Sequence, residues 1–168
     1  TPIKELLIEP SAFIACNFEK ENPKHIGTDI ALSIEFAEHI SAKKADSIVE
    51  YLTQTSSFIV FSAAIPGQGG VRHINEQRHG YWKEKFEKFG FVSLDIIRPK
   101  ILFDKRIPYY LRQNLFVYIR NGDKKFEHLH NLPQLCTNEF ELVAKEILVR
   151  KPSFKAIIQT IAHKVFSK

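Results

Sequence analysis

The sequence predicts an α/β fold with a largely parallel sheet. Three observations predict it. Short, almost wholly apolar runs read as strands buried on both faces, segments with a one-sided apolar stripe follow some of them, and glycine or proline marks most junctions. The chain has 168 residues, 44% of them hydrophobic and 26% charged, which suits a globular domain and argues against disorder.

Phe13-Ile14-Ala15-Cys16 predicts a first strand, and the polar stretch from Glu19 to Gly27 a turn-rich connection. Asp29-Ile30-Ala31-Leu32-Ser33-Ile34 predicts a second strand. Ser41 is a fitting N-cap for a helix running to about Gln54, because Ala42, Ala45, Ile48, Val49 and Leu52 fall on one face. Phe58-Ile59-Val60-Phe61 predicts a third strand. Pro66-Gly67-Gln68-Gly69-Gly70 then forces a loop, and Tyr81, Trp82, Phe86 and Phe89 mark a second helix stopped by Gly90. A fourth strand is expected from Phe91 to Ile97, an irregular stretch from Pro99 to Arg112 with a helical turn near Tyr109 to Gln113, and a fifth strand from Asn114 to Arg120. Gly122 suits a positive φ in the turn that follows. No full helix separates the last two strands, so the fifth is expected antiparallel, between the third and fourth. Ser153 starts an amphipathic helix carrying Phe154, Ile157, Ile158, Ile161 and Val165. Residues 1–122 therefore read as the α/β domain and 123–168 as an extension packed on it.

Bulk properties narrow the function classes. The net charge is +5, but Lys and Arg are mixed with Asp and Glu, which suits a solvated surface better than a nucleic-acid groove. No apolar run approaches the roughly 20 residues that span a bilayer. Cys16 and Cys136 are too few for a disulfide framework, and Thr1 to Glu5 has no leader character, so a cytoplasmic setting is expected. Methionine is absent, including at position 1, which leaves open whether the natural start lies upstream of Thr1.

Three groups carry chemistry. Glu35, Glu38 and His39 directly follow a buried strand at i, i+3 and i+4, so one helical turn would project them to one side. Two carboxylates and an imidazole make either a divalent-metal or acid/base cluster, or a capped turn beside a surface histidine. The glycine cluster at 67–70 is neither a dinucleotide fingerprint nor a P-loop. It is expected to cross the C-terminal edge of the sheet, where open α/β sheets hold ligands. His73-Ile74-Asn75-Glu76-Gln77-Arg78-His79 follows it and concentrates titratable and amide groups beside an aromatic helix.

The stretch from Asp29 to His39, a hydrophobic run ending in Glu35-Phe36-Ala37-Glu38-His39, resembles the fourth strand and following turn of class I S-adenosylmethionine-dependent methyltransferases, commonly Glu-Val-x-Glu-His. Ser62 to Gly70, His73 to Gln77 and Tyr81-Trp82 look like the fifth strand and its loop in one bacterial branch of that family. The resemblance continues through Phe89-Gly90-Phe91 and Gln113-Asn114-Leu115. It covers about residues 8 to 120 and reaches Pro152-Ser153 more weakly.

That resemblance implies a Rossmann-like fold ending in an antiparallel strand pair. It implies S-adenosylmethionine as cofactor and a small-molecule or glycan hydroxyl as methyl acceptor. Asn17, Phe18, Ser33 and Glu35 would line the cofactor, with Asn17 where the family commonly has Asp. The glycine-rich turn and the ribose-binding acid of the family would precede Thr1, so the fold is expected to be incomplete at its N-terminus. His39 and His73 would stand near the acceptor, His73 as a general base in a metal-free route. In the metal-dependent route Glu35, Glu38, His39 and His73 would hold Mg²⁺ or Mn²⁺. The competing expectation is an inactive methyltransferase-like module that serves as a binding scaffold.

Overall fold

A computed structural model describes residues 7–21 and 23–132. It is an α/β fold on an open, mixed four-stranded sheet. The elements are β1 (Ala31–Ile34), α1 (Ala45–Thr55), β2 (Phe58–Ser62), α2 (His79–Lys88), β3 (Phe91–Leu94), α3 (Arg98–Ile101), α4 (Tyr109–Asn114) and β4 (Phe116–Arg120). The strand order is β1-β2-β4-β3. β1 and β2 are parallel, and β4 runs antiparallel between β2 and β3, as expected where no full-length helix precedes it.

One face of the sheet is buried under α1 and α2. Ile48, Val49 and Leu52 of α1 and Trp82 and Phe86 of α2 close over Ile59, Phe61, Phe116 and Tyr118. Phe86 stacks on Tyr118 with ring centroids 3.9 Å apart, and Phe61 meets Phe86 edge-on at 5.3 Å. An ion pair at the surface ties the two helices: Lys85 Nζ donates to Asp46 at 2.6 Å, which holds the Asp46 carboxyl below its ordinary range. The opposite face, with Leu94, Val117 and Ile119, is covered by Phe126, Leu129 and Leu132. The amphipathic helix from Ser153 lies outside the described residues.

The structure corrects several expectations. Phe13 to Cys16 forms no strand. A strand needs a ladder partner, and among the described residues β1 pairs with β2 alone, so Ile14 stands 57% exposed. Ser41 does not cap α1. Its Oγ donates to Glu19 at 3.0 Å, and the chain enters α1 through a 3-10 turn at Ala42–Lys44. The fourth strand stops at Leu94 because Asp95 leaves the ladder to pair with Arg98 in α3. Gly90 and Gly122 both take φ of 75°, as their turns demand. No helix among the described residues is long and apolar enough to cross a membrane.

The burial pattern yields a paired test. Phe61 is 2% exposed and Leu32, on the uncovered face of β1, is 68% exposed. Denaturant titration should show Phe61→Ala costing about 3–5 kcal/mol and Leu32→Ser staying within about 0.5 kcal/mol of the parent. Equal losses would mean that β1 is covered on both faces.

Candidate functional site

The site lies where β1 and β2 end and β4 begins, all at one edge of the sheet. Glu35 leaves β1 with φ of 47°, a left-handed conformation that a side-chain-bearing residue rarely holds without support. Its N–H donates to the carbonyl and Oγ of Ser62 at 3.1 and 3.0 Å, which fixes the turn to the end of β2. The 3-10 turn Ala37–His39 follows. The Glu38 carbonyl accepts from Ile74 N and Asn75 N at 2.9 and 3.0 Å, so the loop after β2 is pinned against this turn and His73 is delivered beside Glu38.

Glu76 clasps the glycine loop. Its carboxylate accepts from Gly67 N at 2.8 Å, Gly69 N at 2.7 Å and His73 Nδ1 at 3.0 Å. Gly67 and Gly69 have φ of 87° and 67°, the region glycine occupies at least cost. Gly70 is constrained by space instead. A Cβ there would stand 2.3 Å from His73 Nε2, so any side chain at 70 displaces the imidazole.

Glu38, His39 and His73 converge, with one potential ligand atom from each lying within 4.8 Å of the others. His73 Nε2 is 3.8 Å from Glu38 Oε1, and the two imidazole rings meet edge-on with centroids 4.9 Å apart. The tautomers follow from the partners. His39 Nδ1 faces the Arg72 carbonyl at 3.2 Å, and a carbonyl only accepts, so Nδ1 carries the proton. His73 Nδ1 likewise donates to Glu76, so each ring is anchored through Nδ1 and Nε2 is the nitrogen left outside these bonds. Glu38 is fully buried, and neither carboxylate oxygen has a hydrogen-bond partner among the described residues. Burial pushes its carboxyl above the ordinary range and the charge of Glu35 adds to this, while the imidazoles of His39 and His73 oppose it.

Glu35 lines the same cavity of about 300 Å³ but turns away from that cluster. Its Oε2 accepts from Gln68 Nε2 at 2.7 Å and its Oε1 from Asn114 Nδ2 at 3.2 Å. The four residues expected around a cofactor are also divided. Phe18 and Ser33 share a second cavity of about 350 Å³ with Phe36 and Tyr51, and Ser33 Oγ is buried there without a partner among the described residues. Asn17 is exposed, and its Oδ1 is occupied by Glu19 N at 3.1 Å in its own turn.

Sequence reasoning missed the residues that hold the site together. Gln68 and Glu76 lay inside segments already singled out, but the role of Gln68 depends on partners 33 and 46 positions away. Asn114 read as the first residue of a strand, and Tyr109 and Tyr110, which line the cavity, read only as a helical turn. No local pattern signals these contacts.

Burial of an unpartnered carboxyl has a pH signature. Folded Glu38 keeps its proton above the ordinary value of 4.5, so the native state binds more protons than the unfolded chain there and stability falls as pH rises through that window. In metal-free buffer, Glu38→Gln should remove a slope of at most about 1.4 kcal/mol per pH unit and raise Tm at pH 8. Parallel stability profiles for the two proteins would mean that water or a partner already satisfies the carboxylate.

No protein-family model, curated protein or solved structure matches this chain.

Proposed function

We propose that the chain carries the acceptor-activating site of an S-adenosylmethionine-dependent O-methyltransferase. The observation that carries this reading is the convergence of Glu38, His39 and His73 in one cavity, with a buried carboxyl oxygen and one ring nitrogen from each imidazole within 4.8 Å of one another. Such a set does one thing well: it binds a hydroxyl, orients it and takes its proton.

The residues fit both groups the reading requires. One carboxylate and two imidazoles suit a divalent cation, and the orphaned oxygens of Glu38 are what an ion would satisfy. With Glu35 held by amides, the donor set is richer in nitrogen than the sequence alone suggests, which favours Mn²⁺ over Mg²⁺. When bound, a cation lowers the pKa of an acceptor hydroxyl. S-adenosylmethionine supplies an electrophilic methyl group, and the cavity beside Phe18, Phe36 and Tyr51 offers an aromatic wall for its adenosine.

The chain's own part in the transfer is proton management. The acceptor oxygen attacks the methyl carbon as the carbon–sulfur bond breaks, and the acceptor's proton must leave. His73 Nε2 is placed to take it, because Glu76 holds the ring from behind and stabilises the imidazolium that forms. The buried Glu38 beside the ring favours the same charge.

The test is transfer of label from methyl-labelled S-adenosylmethionine to a panel of hydroxyl acceptors by the full-length polypeptide. His73→Ala is expected to lower the rate by roughly 10²–10⁴. Loss of activity in EDTA, restored by Mn²⁺, selects the metal-assisted route, and indifference to EDTA selects His73 as a metal-free base. Absence of transfer to every acceptor would favour the binding-scaffold reading instead.

A further inference from the structure

We infer that the cavity's acceptor is a sugar ring, seated against Tyr109 and Tyr110 and hydrogen-bonded by Glu35. This inference deepens the transferase reading and rests on it for the chemistry, but its structural grounds are separate.

Tyr109 and Tyr110 line the cavity together with Glu38, His39 and His73, and both are half-buried. Their rings meet edge-on with centroids 5.6 Å apart, so they present two differently oriented aromatic surfaces. Neither phenol hydroxyl has a hydrogen-bond partner among the described residues. Backbone of Gly69 and Gly70 also borders the cavity, which keeps that side free of side chains. Aromatic surface with unpaired hydroxyls suits a ligand that is itself two-sided, with C–H faces to lie on a ring and hydroxyls at its rim.

The short helix bearing the two tyrosines is held rigidly. Arg112 donates to the carbonyls of Ile107 and Leu102 at 2.9 and 2.8 Å, and buried Arg98 donates to the Gln113 carbonyl at 2.9 Å. A surface held this firmly loses little freedom when a ligand settles on it.

Glu35 supplies the polar half. A carboxylate offers about four acceptor positions, and the amides of Gln68 and Asn114 fill one on each oxygen, which leaves about two for a ligand's donors. Hydroxyl groups are such donors. The strained backbone at Glu35 keeps this carboxylate at the cavity wall. A flat phenolic acceptor would need an apolar slot, whereas here two carboxylates, two imidazoles and an amide share the lining, which suits a polyol.

The test is saturation-transfer NMR on the chain with a panel of methyl glycosides, pyranosides and furanosides, and with catechol as the contrasting probe. Glycoside C–H protons should receive saturation, and catechol little. The signal should drop roughly fivefold or more in Tyr109→Leu/Tyr110→Leu, which keeps apolar bulk but removes both rings. It should persist in Tyr109→Phe/Tyr110→Phe, with unchanged near-ultraviolet circular dichroism as the check on folding. Transfer to catechol alone, to neither probe, or transfer to glycosides that survives in the leucine variant would overturn the inference. A chain that binds glycosides through its tyrosines but moves no methyl group would sink the transferase reading and leave the sugar subsite standing. Methylation of catechols but not glycosides would do the reverse.

Discussion

One buried amide sets the arrangement of everything at the sheet's edge. Asn114 Nδ2 donates to Glu35 Oε1 at 3.2 Å and to Gln68 Oε1 at 2.8 Å, and its Oδ1 accepts from Gln113 Nε2 at 2.9 Å and His79 Nε2 at 3.1 Å. Both donors and both acceptor positions are used, so the side chain has no alternative orientation of equal energy. Its four partners belong to the end of β1, the glycine loop, α4 and the start of α2. A residue with one polar atom fewer could not join them, and a buried half-satisfied network costs more than none. The Asp95–Arg98 pair supports this hub from beneath, with Arg98 also lying 4.1 Å over the Phe116 ring.

Beside the hub, the fold accepts a local penalty at the candidate site. Glu38 is a fully buried carboxyl without a hydrogen-bond partner among the described residues, an arrangement that opposes folding when it is ionised. Its backbone has the opposite role, because its carbonyl anchors the loop that delivers His73. The main chain of one residue thus stabilises the site while its side chain strains it. That division is characteristic of functional positions, where stability is given up for a poised group.

Much of the fold was legible in the sequence because it rests on local pattern. The apolar runs of β1 and β2, the stripe of α1, and the glycine stops at 90 and 122 each arise from neighbouring residues, and the antiparallel place of β4 was expected because no full-length helix separates it from β3. Phe13 to Cys16 failed for the converse reason: an apolar run is a strand only if a neighbour completes its ladder. At the site, the histidines and Glu38 were readable from type and spacing. Glu35 was not, because a positive φ turned it out of the helical register and toward amides 33 and 79 positions away. Contacts at that separation leave no trace in any sequence window, so the sequence could name the reactive groups but not the frame that aims them.

The central claim is that His39 and His73 each offer a ring nitrogen to the same point beside Glu38. Long-range ¹H–¹⁵N correlation NMR of the imidazoles in the metal-free chain at neutral pH measures this directly. Both rings are expected as Nδ1–H tautomers, anchored by the Arg72 carbonyl and the Glu76 carboxylate. On addition of Zn²⁺ as a diamagnetic probe, the Nε2 resonances of both should shift together. An Nε2–H tautomer at either histidine, or a shift confined to one ring, would contradict the shared site.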